Sequence, residues 1–236
     1  MCSHYQAVTA LERFERHFRT AFPAGQQSAD MWPACLAAVV VSRLSQPQGV
    51  VASWGLTAAS AKAFNSKLSA SKLSTSKLPN SKLSTFNARS ESVGTSPTFR
   101  GAWEKGQRCV VPAEAVYEPD WRSGRHVPTR LQRADGEPMG LAGLWDSWTS
   151  ATGEVRLSFT LLTINADAHP LMKHLHKPQD EKRMVVILQE SDYDNWLHGP
   201  AAFAADAARL LKPYPAAQLT AVGEPSRAIQ DNPGLF

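Results

Sequence analysis

No apolar run in the chain approaches the roughly 20 residues that a helix needs to cross a bilayer, which argues against a membrane-spanning role. The longest apolar stretch, Ala34 to Val41, is the size of a strand. The start lacks the charged-then-apolar layout of a signal peptide, so the expected compartment is the cytoplasm. Cysteine is scarce. Cys2, Cys35 and Cys109 contain no CxxC pair and cannot all pair with one another, so reduced thiols are the simple inference. Acidic residues are missing between Asp30 and Glu91, where Arg43, Lys62, Lys67, Lys72, Lys77, Lys82 and Arg89 all fall. That segment carries the basic excess of a chain whose net charge is only +4, which permits a polyanionic partner without demanding one.

What is present describes a globular chain. Its 236 residues, 43% hydrophobic and 19% charged, are enough for one sizeable core, and a single domain over 1–236 is expected. Thr9-Ala10-Leu11-Glu12 reads as a capping box, followed by Leu11, Phe14 and Phe18 at helical spacing, with Pro23 as the stop. Cys35–Val41 and Gly49–Trp54 read as strands. Between them and the next element lies a low-complexity insertion at about 64–85, in which Ser-Lys-Leu recurs with a period that fits neither helix nor strand. It is expected to be a lysine-bearing surface loop.

Arg108–Pro112 reads as a strand, followed by a loop with Glu118 and Pro119 and a turn at Ser123-Gly124. Met139–Trp145 is apolar with two glycines. Leu157–Ile164 and Met184–Leu188 read as strands, Ser191 as the cap of a helix through Leu197, Ala204–Leu211 as a helix and Gln218–Val222 as a closing strand. Many short strands with few, scattered helices predict an α+β fold built on a barrel or strongly bent mixed sheet.

The chemistry begins at the second residue. With Met1 removed, Cys2 would present an α-amine of reference pKa about 8, against about 10.4 for lysine, beside a strongly nucleophilic thiol. Such a 1,2-aminothiol condenses with an aldehyde to an imine and closes to a five-membered thiazolidine, which an internal cysteine cannot do. Three other places carry polar residues suited to a site. Asn87 offers a donor and an acceptor together, and Arg89 two positions on can fork onto a phosphate. Glu118, held near Cys2, could take the amine proton. In His174-Leu175-His176 an HxH pair could chelate a metal on a strand, but no further ligand motif accompanies it. Acid and base duties suit a histidine better, and no metal or other cofactor is expected.

Taken together, Met1-Cys2, Phe86 through Glu91, Val111 through Glu114 to Tyr117-Glu118, and Leu171 through His176 to Leu188 resemble the SOS response-associated peptidase (SRAP) family of abasic-site processing proteins. The resemblance spans nearly the whole chain in the family's order. It implies a catalytic Cys2 with Asn87, Glu118 and His176 as partners, binding to single-stranded DNA that carries an abasic site, and a covalent thiazolidine link to the ring-opened sugar. It also implies that such proteins remove their own initiator methionine. Arg89, His4 and Trp54 are the expected DNA contacts, and a monomer is expected. Two departures stand out. Ser3 and His4 replace the family's usual Gly-Arg, and Thr57-Ala58-Ala59-Ser60 replaces its proline and tryptophan after Leu56. Read from the residues alone, an N-terminal-cysteine amidohydrolase and a non-catalytic single-stranded DNA-binding module are the alternatives.

Overall fold

A computed structural model describes residues 2–26, 28–57, 85–149, 153–198 and 204–223. The Ser-Lys-Leu tract lies outside the described residues. Five strands close on themselves. Strand β3 (Leu36–Arg43) runs antiparallel to β4 (Gln46–Trp54), which lies parallel to β9 (Val155–Asn165). In turn β9 is antiparallel to β8 (Met139–Thr149), β8 to β6 (Arg108–Asp120), and β6 returns to β3. The expected α+β architecture with a barrel core and few helices is therefore observed.

Local sequence explains the closure. The β3–β4 hairpin pairs Arg43 with Gln46, leaving Leu44 and Ser45 as a two-residue loop, both with positive φ of 50° and 60°. That is the primed turn whose twist matches paired strands. The two glycines of β8 allow close approach. A Cβ on Gly140 would sit 2.5 Å from the Tyr193 ring, and one on Gly143 2.7 Å from the Thr160 carbonyl oxygen and 2.8 Å from Cys109 Sγ. Any side chain there would push α3 (Tyr193–His198) or β9 off the barrel.

The long strand β6 corrects the expectation of a loop after Pro112: it continues to Asp120 and carries Glu118 within it. The prolines misled because they cannot donate to a ladder. Here β6 changes partners just beyond Pro112, from β8 to β7 (Val127–Arg133), and Pro119 faces Pro128, so neither ring displaces a needed donor. The Gly124 turn, with φ 77°, joins β6 to β7. Helix α1 (Leu11–Phe18) starts without a side-chain cap, its N-cap being Ala10 rather than Thr9, and ends in a left-handed Arg19 well before Pro23. Phe14, His17 and Phe18 are buried, whereas Leu11 is exposed.

Met184–Leu188 divides into β10 (Arg183–Val185) on β9 and β11 (Ile187–Leu188) on β8, with Val186 bonded to both neighbours. The short strands β1 (Tyr5–Ala7), β2 (Asp30–Met31) and β5 (Asn87–Arg89) were not legible in the sequence. They matter most for the site, because β1 and β5 bring the start of the chain and Asn87 onto the barrel. Helices α2 (Arg100–Glu104) and α4 (Ala204–Leu210) and the closing strand β12 (Leu219–Gly223) complete the described chain.

Trp54 sits in this core. It packs edge-on to Tyr5 and Phe86, lies parallel to Phe159, and donates its indole N–H to the Phe86 carbonyl at 2.8 Å. Trp54→Ala is expected to cost about 3–5 kcal/mol, from the cavity and lost transfer energy together. The shift in denaturant midpoint measures it.

Candidate functional site

Backbone pairing delivers the four candidate residues to one end of the barrel. The Tyr117 N–H donates to the His4 carbonyl at 3.0 Å, extending the β1–β6 ladder toward Cys2. Asn87 opens β5, which pairs parallel to β9 with Asn87 opposite Leu161. Its Nδ2 donates to the Cys2 carbonyl at 2.6 Å. Glu118 is near the end of β6, and its Oε2 lies 2.8 Å from His176 Nε2. The His176 loop is clipped back onto the same strand by a bridge between Leu175 and Asp120 and by the His176 N–H donating to the Pro119 carbonyl at 2.7 Å. His176 adopts φ 65°, a left-handed conformation unusual for a side-chain-bearing residue.

The chemistry of this group follows from its burial. Cys2, Asn87, Glu118 and His176 are all buried. Burial first, and then the neighbouring Glu118 charge, push the Cys2 thiol far above its ordinary value, so the resting sulfur keeps its proton. It donates weakly to the His4 carbonyl at 3.4 Å. Asn87 Oδ1 is buried with no hydrogen-bond partner among the described residues. An unused acceptor inside a buried polar site is costly, and it marks a place where a ligand or amine proton would be welcome.

A buried cation holds β5 in place. Arg183 reaches from β10 to the Thr163 carbonyl on β9 at 2.7 Å and to both Glu91 carboxylate oxygens at 3.0 and 2.9 Å. Its Nη1 also meets Glu181, which in turn pairs with Arg89 at 2.7 Å. Arg89, the expected phosphate contact, is half exposed and already engaged.

Burial works against the Glu91 carboxylate, yet the hydrogen bonds from Arg183, backbone N–H donors and the Arg183 charge together outweigh it and hold the carboxyl below its ordinary value. A depressed carboxyl contributes stability above its unfolded pKa of about 4.3 and loses it as pH falls through the lower folded value. Glu91→Gln is therefore expected to lower the melting temperature at pH 7 by no more than about 2–4 °C, since the carboxylate is half exposed and screened. The gap to the parent protein should close as the melts are taken below about pH 4.

The remaining expected contacts divide. His4 is sandwiched between the Trp32 and Tyr117 rings, with its Nε2 3.1 Å from Asp30 Oδ1. Trp54 is a correction: only 1% exposed and with its N–H already used, it cannot offer a face to a base. In sequence it closes the expected strand Gly49–Trp54 beside Gly55, but the Tyr5, Phe86 and Phe159 rings that enclose it come from three other strands or their flanks. His174 is exposed while His176 is buried, so the HxH pair splits, and among the described residues no three His, Cys, Asp or Glu side chains gather as a metal site. Sequence reasoning missed Trp32, Tyr117 and Arg183. Trp32-Pro33 was the available signal, an aromatic beside a turn residue with no apolar periodicity around it.

The model of the SOS response associated peptidase (SRAP) family matches residues 1–226. The chain belongs to the SRAP family. Among SRAP relatives, the abasic site processing protein YobE of Bacillus subtilis is 29% identical over 138 residues, covering 57% of this chain and 58% of that protein. The abasic site processing protein HMCES of Gallus gallus is 26% identical over 149 residues, covering 55% of this chain and 42% of its own length. The match thus covers little more than half the length of YobE and less than half that of HMCES. The crystal structure of a protein from Bordetella bronchiseptica superposes with a TM-score of 0.80 at 42% identity, over 95% of this chain and 100% of the other. One from Bacteroides thetaiotaomicron, 21% identical with a TM-score of 0.71, shares the fold.

Proposed function

We propose that this protein captures abasic sites in single-stranded DNA by forming a thiazolidine crosslink through Cys2 once Met1 has been removed. The observation that carries this reading is the convergence of Asn87, Glu118 and His176 on Cys2 within one buried group. The relatives' name, abasic site processing protein, supplies the substrate class.

The steps balance without an external oxidant or cofactor. His176, paired with Glu118, moves the proton that opens the deoxyribose hemiacetal to its aldehyde. The Cys2 amine adds to the aldehyde carbon, and water leaves as the imine forms. The thiol then adds to the imine carbon, its proton passing to the nitrogen, and the five-membered ring closes. The order follows from charge. Buried and beside Glu118, the thiol holds its proton at rest, and the imine nitrogen formed next to it is the base that takes that proton. Asn87 holds the Cys2 carbonyl, which fixes where the amine points, and its unused Oδ1 can accept from that amine or a sugar hydroxyl.

Exposed cations serve the phosphates. Arg122, whose guanidinium pairs with Asp120, and Arg125 are exposed on the β6–β7 hairpin, and the ammonium of Lys177, beside His176, stands 5.4 Å from the Trp121 ring of that hairpin. Arg89 joins them by exchanging Glu181 for a phosphate. Contacts of this kind position the strand without reading sequence, so binding weakens steeply with salt and tolerates sequence changes. Loss of Met1 is part of the proposal, with the Cys2 group itself as the candidate for removing it.

The test is incubation with single-stranded DNA carrying one abasic site, followed by denaturing electrophoresis and intact mass. The expected product is an adduct of protein lacking Met1 plus DNA, less one water. Protein lacking Met1 that yields no adduct would sink the reading.

A further inference from the structure

An abasic strand lacks one base but keeps its neighbours, and each neighbour presents two apolar faces to water. The burial of Trp54 leaves open what would meet them. Trp32, 51% exposed, ends a three-ring stack. Its ring lies 4.1 Å from His4 with the planes 9° apart, and His4 lies 4.2 Å from Tyr117 at 11°. One face of Trp32 is thus covered, and the exposed surface is the other face and the edge.

The stack is built in rather than incidental. His4 and Tyr117 are joined across the β1–β6 ladder, and Asp30 holds the His4 edge. Met31, before Trp32, pairs with Tyr5. After it, the Cys35 N–H donates to the Trp32 carbonyl at 3.0 Å, and left-handed Ala34 (φ 75°) donates to the Trp54 carbonyl at 2.7 Å. The backbone is therefore tied down on both sides of an aromatic ring left open to solvent. The same stack borders the reactive group, since Cys2 donates to the His4 carbonyl and Tyr117 directly precedes Glu118.

We propose that the open face of Trp32 is a stacking platform for the unpaired base next to the abasic sugar. This rests on the abasic-site reading above and adds to it a position that none of the expected DNA contacts occupies. A preset ring loses no rotamer freedom on binding, and every base has a π-face, so the platform adds affinity without sequence preference. His4 takes part from behind, holding Trp32 flat rather than touching DNA.

The test uses a single strand carrying a tetrahydrofuran abasic analogue, which has no aldehyde and cannot crosslink, with 2-aminopurine on one side of it or the other. Wild-type protein is expected to quench the fluorophore on one side. Trp32→Ala should abolish the quenching and weaken binding about 5- to 100-fold, while Trp32→Phe keeps most of both. Replacing the neighbouring base by a second tetrahydrofuran should weaken wild-type binding by the same factor and leave Trp32→Ala unaffected, the signature of a coupled pair. Unchanged binding by Trp32→Ala, or losses that simply multiply, would overturn the platform. Should Trp32→Ala melt early, Trp32→Phe and the wild-type response to base removal decide the question. Because the analogue cannot react, a wild-type failure to crosslink true abasic DNA sinks the proposed function separately from this inference.

Discussion

Cys2→Ala is expected to yield no adduct that survives denaturation with abasic single-stranded DNA, under conditions where the parent protein is crosslinked. Prepared with Met1 already removed, the variant keeps the α-amine of residue 2, so it still reaches the imine. Without sulfur the imine cannot close and returns to aldehyde and amine by hydrolysis. Borohydride added during the incubation should therefore recover a covalent product from the variant by reducing that imine, and this recovery distinguishes loss of ring closure from loss of binding. Cys2 is buried and small, so folding should survive: removing one sulfur from a packed site costs about 1–2 kcal/mol or less. A stable adduct from Cys2→Ala at the parent rate, without reductant, would place the attachment on another residue.

The second large effect is expected at Glu118. Glu118→Gln preserves shape and still accepts a hydrogen bond from His176, but it cannot take or give a proton. General acid–base groups contribute about 10²- to 10⁴-fold, and single-turnover crosslinking should slow within that range. The same substitution removes the charge that helps hold the thiol protonated. The pH profile of Cys2 alkylation should therefore move to lower pH while crosslinking slows. Because unfolding would also expose the thiol and lower its profile, a melting temperature equal to the parent's is what ties the shift to the lost charge. A Glu118→Gln protein that crosslinks at the parent rate would remove Glu118 from the chemistry.

Much of the site's cast was readable from residue type and order. Cys2, Asn87, Glu118 and His176 are chemically distinctive, and the sequence places them in a family's order; the structure brings them together. The candidate DNA contacts were not readable in the same way. Trp54 and Trp32 look alike in sequence, each an aromatic near a turn, yet one is 1% and the other 51% exposed. Which tryptophan is enclosed depends on whether Tyr5, Phe86 and Phe159 arrive around it from distant strands. Arg89 shows the same limit. Its charge is plain in sequence, but its capture by Glu181, and the Arg183 clamp behind it, exist only once β5 and β10 lie on β9.

Strand register tells a similar story. Alternation and β-branched runs predict β3, β4 and β9 because burial imposes those patterns locally. Two- and three-residue strands such as β1, β2 and β5 carry no period of their own, and they form because a neighbouring edge supplies the hydrogen bonds. By itself, then, the sequence determined the reactive residue types, the α+β class and the strands β3, β4 and β9, since each depends on side-chain chemistry or local periodicity. Tertiary structure alone decided that Glu118 rides on a strand rather than a loop, that Trp54 belongs to the core, and that Trp32 is left open beside Cys2. Those are outcomes of which distant segments meet, and no local pattern encodes a meeting.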